Sequence, residues 1–313
     1  MPPYDLSKVL VVGISSRALF DLEKENELFD THGLEAYTTH QIERINDVPR
    51  PGTGFRLVKN ILSLNVPGEE RKVEVIVLSR NNPATSLRIT KSIQHHGLDI
   101  TRSAWTGGES LVRYLGAYKV DLFLSAHQKD VQRAINAGFA AARIYKFSKN
   151  TPVTRHDKKK IKIAFDGDAV LFSAESENIY QNQGLEAFLK HEKENALKPL
   201  PDGPFAALLR AISKAQQGVP VDQAPIRTAL ITARNSPAHE RVIRTLHEWN
   251  VRVDEAHFLG GVSKHEVLEA FGADIFFDDQ DAHCAPASNV VPTAIVPIRE
   301  EQIEFLEFEL EGE

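Results

Sequence analysis

Asp166-Gly167-Asp168 follow directly on the apolar run Ile161–Phe165. Such a run reads as a buried strand, and in an open parallel sheet ligands bind beyond the carboxyl ends of the strands. Two carboxylates held close together there repel each other unless a cation joins them. Mg²⁺ takes oxygen ligands and can keep room for water and a substrate oxyanion. The implied chemistry is a metal-assisted reaction on an oxyanion. Taken alone, Asp-Gly-Asp reads equally as a turn that caps the next helix. Further residues extend the pattern. A strand-like run ends in the hydroxyl of Thr232, followed by Ala233 and Arg234. Ser263-Lys264 opens a helical stretch after Gly260-Gly261, and another apolar run ends in Asp278-Asp279. Singly these are an N-cap, a solvated charge and a turn. Together they supply a nucleophile with an acid/base partner (Asp166, Asp168), a hydroxyl and a cation for an oxyanion (Thr232, Lys264), and more metal ligands.

The elements that would position these groups are short and apolar without alternation, as in strands buried on both faces. Candidate strands lie at 9–14, 73–78, 122–125, 161–165, 228–231 and 275–277, with amphipathic helical patterns such as 86–96 and 237–249 between them. Strands interleaved with helices predict a doubly wound α/β architecture. The segment 146–160 is polar and basic and reads as a linker between two halves. The halves resemble one another at near-constant spacing. Leu19-Phe20 recurs as Leu171-Phe172, Gly33-Leu34-Glu35-Ala36 as Gly184-Leu185-Glu186-Ala187, and Gly107-Gly108 as Gly260-Gly261. This predicts two copies of one unit. In that register Ser16 stands opposite Asp168, and Ile14 or Ser15 opposite Asp166. Ser79 stands opposite Thr232, Leu111 opposite Lys264, and Ser125-Ala126 opposite Asp278-Asp279. The first copy therefore keeps the frame without the carboxylates.

The whole chain sets limits on these readings. Its 313 residues suffice for two domains, and 42% hydrophobic content supports a sizeable core. A net charge of −6 disfavours a general nucleic-acid binder. The single cysteine, Cys284, precludes an internal disulfide and fits a reducing compartment. No run approaches the ~20 apolar residues of a membrane span. The N-terminus lacks a signal-peptide core, so a cytoplasmic protein is expected. Gly52-Thr53-Gly54 lacks the Lys-Ser/Thr of a P-loop, and the histidines show no zinc-ligand spacing. Cys284 reads as structural, and the tail 299–313 as a short strand, a docking helix or a solvated end.

The order Asp166/Asp168, Thr232, Lys264, Asp278/Asp279 resembles the four motifs of the haloacid-dehalogenase (HAD) superfamily. The longer strings are similar to cytosolic 5′-nucleotidases of type I: residues 164–173 (AFDGDAVLFS), Pro225-Ile226-Arg227-Thr228, Thr232-Ala233-Arg234 and Phe276-Phe277-Asp278-Asp279. In the first half Ser15-Ser16-Arg17, Leu19-Phe20-Asp21 and Thr106-Gly107-Gly108 carry the same likeness. The resemblance implies two HAD-like (Rossmannoid) parallel-sheet units in tandem: a degenerate one over 1–150 and a catalytic one over 158–313, with a helical cap insert near 173–224. It implies Mg²⁺-dependent hydrolysis of nucleoside 5′-monophosphates through an aspartyl-phosphate. Asp166 is the nucleophile and Asp168 the acid/base. Gly167, Thr232, Ala233 and Lys264 hold the phosphate. Asp166, the backbone carbonyl of Asp168, and Asp278 with Asp279 hold the metal. Phe188, His191 and Lys198 are candidates to meet the base or ribose. It also implies a nucleotide effector, without placing it. A sugar phosphate is the alternative substrate, a non-catalytic nucleotide-binding regulator the alternative class, and a homo-oligomer is left open.

Overall fold

The strands are β1 (Leu10–Ile14), β2 (Val73–Ser79), β3 (Arg102–Trp105), β4 (Leu122–Ser125), β5 (Ala141–Ile144), β6 (Ile161–Phe165), β7 (Ile226–Thr232), β8 (Glu255–Phe258), β9 (Ile275–Asp278) and β10 (Thr293–Ile295). In the computed structural model, which describes residues 4–146 and 160–300, they form one 10-stranded sheet in the order β3-β2-β1-β4-β5-β10-β9-β6-β7-β8. Every neighbouring pair is parallel except β5 with β10, which run antiparallel at the middle. Most of the proposed linker, 147–159, and the tail from 301 onward lie outside the described residues.

The central strands β1, β2 and β4 are buried at every position. Continuous Val/Ile/Leu runs dictate this when helices cover both faces. One apolar core runs through both halves, from Leu10 to Val296. The halves also exchange helices across the junction. The helix Phe55–Leu62 packs on β6 and the helix Ala206–Ala215 on β1. Asn60 Nδ2 donates to Asp274 Oδ1 at 3.0 Å, and Arg56 Nε lies 3.3 Å from the same oxygen.

Each half has its strands in the same order, and small devices recur in matching places. Asp121 accepts from the Val11 amide at 2.8 Å, as Asp274 does from Lys162 at 2.9 Å. Glu23–Glu43 and Glu175–Glu194 are long helices, each interrupted by a glycine with positive φ, 79° at Gly33 and 82° at Gly184. Only glycine adopts that region without strain.

The structure corrects the register expected at the first turn. The Ser15 amide donates to Leu124 O at 2.9 Å, and the Asp166 amide donates to Phe277 O at 2.8 Å. Ser15 is thus the counterpart of Asp166. The next matching bonds are Phe20 N to Ser16 O and Phe172 N to Gly167 O. Ser16 therefore matches Gly167, not Asp168. The second half carries one extra residue, absorbed in the turn Gly167–Leu171, where Ala169 takes φ 58°.

Candidate functional site

Asp166 stands where β6 ends, and Asp278 is the last residue of β9, the next strand over. Thr232 ends β7 on the other side of β6. Lys264 begins the helix Lys264–Phe271, delivered by a turn in which Gly260 and Gly261 take φ 57° and 90°. The sheet's carboxyl edge thereby collects groups from distant stretches of the chain.

Asp166, Asp278 and Asp279 each present a carboxylate oxygen, all within 4.8 Å of one another. Lys264 Nζ lies 2.8 Å from Asp166 Oδ1 and donates to Asp278 Oδ2 at 2.7 Å. His283 Nδ1 approaches Asp278 Oδ1 at 3.3 Å. Three carboxylates against one ammonium leave the cluster short of positive charge. Burial, aided by the charges of Asp278 and Asp168 and opposed by Lys264, pushes Asp166 up to about 7. Burial and the charges of Asp166 and Asp278 push Asp279 up to about 8. Burial also works against Asp278, but His283 and Lys264 prevail and hold its pKa below the usual carboxylate range. Lys264 stays charged: Asp166 and Asp278 outweigh the cost of its burial. Asp166 Oδ1 is buried, and beyond the Lys264 ammonium 2.8 Å away it has no hydrogen-bond donor among the described residues. A buried oxygen short of donors is costly, and a cation can supply the missing contact. Oxygen donors at this spacing fit a hard divalent ion such as Mg²⁺.

Thr232 is buried, and its Oγ1 accepts from the Arg234 amide at 3.3 Å. This leaves its O–H to donate. A methyl group on Gly167 would lie 3.4 Å from that oxygen, so the bare glycine keeps the space beside the hydroxyl open. Ala233 follows Thr232 and is exposed.

The Asp168 side chain is not part of the three-carboxylate cluster. Arg234 grips it in bidentate fashion, Nε to Oδ2 at 2.8 Å and Nη2 to Oδ1 at 2.6 Å. The same guanidinium donates through Nη1 to Glu192, which also accepts from Arg241 at 3.0 Å and Ser176 at 2.8 Å. Phe188 lies under Arg234, its centroid 5.4 Å from the guanidinium carbon. His191 meets Glu175 at 3.2 Å, and Lys198 contributes its carbonyl to Arg241 at 2.9 Å while its side chain is exposed. A buried ionic lattice thus ties Asp168 to the helix Glu175–Glu194. In the sequence Arg234 shows only as the end of Thr232-Ala233-Arg234, and Glu192 and His283 sit among charged or polar residues with no periodicity to mark them. Cys284 is buried with its Sγ 3.6 Å from Asp278 O, and burial pushes its thiol well up, as for a structural residue.

A Rossmann-like α/β sheet with a carboxylate–lysine centre on its carboxyl edge is the class that fold and site define. The chain belongs to the 5′-nucleotidase family, whose profile matches residues 2–303. It is 33% identical over 292 residues to human cytosolic 5′-nucleotidase 1B, covering 90% of this chain and 47% of that protein. The chain thus spans about half the length of that relative. A putative universal stress protein from Pseudomonas aeruginosa UCBPP-PA14 superposes over 93% of each chain at 10% identity, with a TM-score of 0.31, too low for any argument. Among the described residues no helix is long and apolar enough to cross a membrane.

Proposed function

We propose that this protein hydrolyses nucleoside 5′-monophosphates to nucleoside and phosphate, with Mg²⁺ held by Asp166, Asp278, Asp279 and the backbone carbonyl of Asp168. The observation that carries this reading is the meeting of the Asp166, Asp278 and Asp279 oxygens within 4.8 Å beside Lys264. Family membership supplies the substrate class. When bound, Mg²⁺ neutralises carboxylate and phosphate charge in the pocket.

Asp166 attacks phosphorus in line and the bond to the ribose 5′-oxygen breaks; Asp168, which takes up a proton from solvent as substrate draws it off Arg234, gives that oxygen its proton. Asp168 then takes a proton from water. The water attacks phosphorus, and phosphate leaves with Asp166 restored. Thr232 and Lys264 donate to the phosphate oxygens, and Gly167 with Ala233 leaves their approach clear. Fixed donors of this kind do most of the work in phosphoryl transfer. In the resting structure both Asp168 oxygens face Arg234, so substrate must draw one of them to the leaving oxygen. On this reading the second half is a HAD-like catalytic unit, its cap lies in 173–224, and the first half, 1–150, is a non-catalytic copy. A cytoplasmic setting matches the name of the human relative.

A panel of phosphomonoesters tests the proposal: AMP, IMP, CMP and dTMP against sugar phosphates, each with Mg²⁺ or EDTA. Mg²⁺-dependent release from the nucleotides supports it. Preference for sugar phosphates, or turnover unchanged in EDTA, refutes it.

A further inference from the structure

The first half contains a cavity of about 450 Å³ at the carboxyl ends of β1, β2 and β4, the counterpart of the carboxylate site. That is ample room for a small organic ligand. The comparison of the two sites is chemically one-sided. Where the second half has Asp166, Asp278 and Lys264, the first has Ser15, Ser125 and Leu111. Where Arg234 meets Glu192 over Phe188, Gln41 donates to the Tyr37 hydroxyl at 2.9 Å and Tyr37 to Asn81 at 3.2 Å. The ion pairs that Arg234 makes with Asp168 and Glu192 have no equivalent there, although Arg88, which donates to Gln41 at 3.0 Å and to Glu25 at 2.7 Å, keeps one buried ion pair beside it.

The charged side chains that remain have partners within the first half. Arg17 bonds Asn26 at 2.7 Å and Glu23 at 3.0 Å, Glu25 bonds Arg88 at 2.7 Å, and Arg80 lies 3.7 Å from Asp130.

The first half has nevertheless kept its aromatic wall. Phe29 and Tyr37 meet edge to face at 5.9 Å, as Tyr180 and Phe188 do at 6.2 Å. Phe29 lines the cavity and is 45% exposed, so its ring surface is open to a ligand there. Asn81 Nδ2 and Arg17 Nε are buried and make no hydrogen bond among the described residues. Donors in that condition favour a ligand that brings acceptors.

We propose that this cavity is a second binding site, which takes a neutral nucleoside without a metal and leaves it chemically unchanged. The aromatic wall stacks the base, and the hydroxyls and amides meet the ribose. The choice of a nucleoside rests on the function proposed above, whose substrate is this group plus a phosphate. The copy has lost what handles the phosphate and kept what faces the rest.

The test is hydrogen exchange and calorimetric titration of the full chain in EDTA, with adenosine, inosine and thymidine against AMP and ribose 5-phosphate. A nucleoside should protect residues 22–41 and 79–85. Phe29→Ala, at an exposed position that folding tolerates, should weaken binding at least about fivefold. Tyr180→Ala should leave that protection in place. Protection confined to 173–195, tighter first-half binding of AMP than of adenosine, or no binding at millimolar nucleoside would overturn the proposal. These readouts need no turnover. Failure of the phosphomonoester panel with first-half binding intact would strike the reaction alone, and the converse result would strike this site alone.

Discussion

Arg234→Met removes the one side chain among the described residues that serves both Asp168 and Glu192. Glu192 is fully buried and Asp168 only 13% exposed at the side chain. With Arg234 present the group of Arg234, Arg241, Glu192 and Asp168 is balanced, two charges of each sign. Its loss leaves one negative charge in excess. Breaking a buried pair by removing one partner costs roughly 3–5 kcal/mol. Glu192 keeps Arg241 at 3.0 Å and Ser176 at 2.8 Å, which argues for the lower end, about 3 kcal/mol. Arg234→Lys keeps the charge, but a point donor cannot span both carboxylates, so it should recover only part of the loss. Urea unfolding reads the change as a lower midpoint at constant slope. A cycle with Asp168→Asn should show a coupling of at least ~0.5 kcal/mol, as contacting residues do. If Arg234→Met unfolds within about 1 kcal/mol of the parent, the lattice is not the buried device described here.

Asp166→Asn should lower phosphate release at least ~10³-fold with the fold unchanged by circular dichroism, and near-normal turnover would rule out the covalent route. The raised pKa values make the metal-free protein pH-sensitive in a defined direction. With Asp166 near 7 and Asp279 near 8, the folded state holds protons that the unfolded chain has already released. Their favourable contribution is present below the ordinary aspartate pKa of about 4 and is lost as pH rises through 7 to 8. Melting in EDTA should therefore fall across that range and Mg²⁺ should offset it, with proton release on binding visible as buffer-dependent heat. A metal-free melting temperature rising from pH 5 to 8 would contradict this. Gly203→Ala should be severely destabilising, since a Cβ there would lie 2.3 Å from Phe172 O and 2.5 Å from Val170 O. Gly52→Ala, with its nearest contacts at 2.9–3.0 Å, should cost less by thermal melting, and the reverse order would refute the comparison.

Much of the frame was legible because buried parallel strands announce themselves. The six apolar runs read from sequence correspond to β1, β2, β4, β6, β7 and β9, within a residue or two at each end. The missing strands have physical reasons. β3 and β8 lie at the sheet edges and are only partly buried, so their residues need not be apolar. β5 is Ala-Ala-Arg-Ile and β10 has 3 residues, too little for a period to show. The convergence of Asp166, Thr232, Lys264 and Asp278 could be anticipated because each follows a strand or a glycine turn. Arg234 with Glu192 could not, because partners that close a lattice across a fold leave no spacing in the chain. The extra residue at Ala169 was likewise hidden, since a slip of one position looks like noise until hydrogen bonds fix the register.

The antiparallel meeting of β5 and β10 is what a twofold axis through the sheet would produce. One half alone would present a bare strand edge and, beside it, the patch of sheet that its sister's helix now covers. Cut between residues 146 and 160, a single half has two outcomes open to it, mating with its own kind or aggregating. Fusion in one polypeptide removes the obligation of the partners to be identical. One can gather Asp166, Asp278, Asp279 and Lys264 at its strand ends while the other places Ser15, Ser125 and Leu111 at the matching positions.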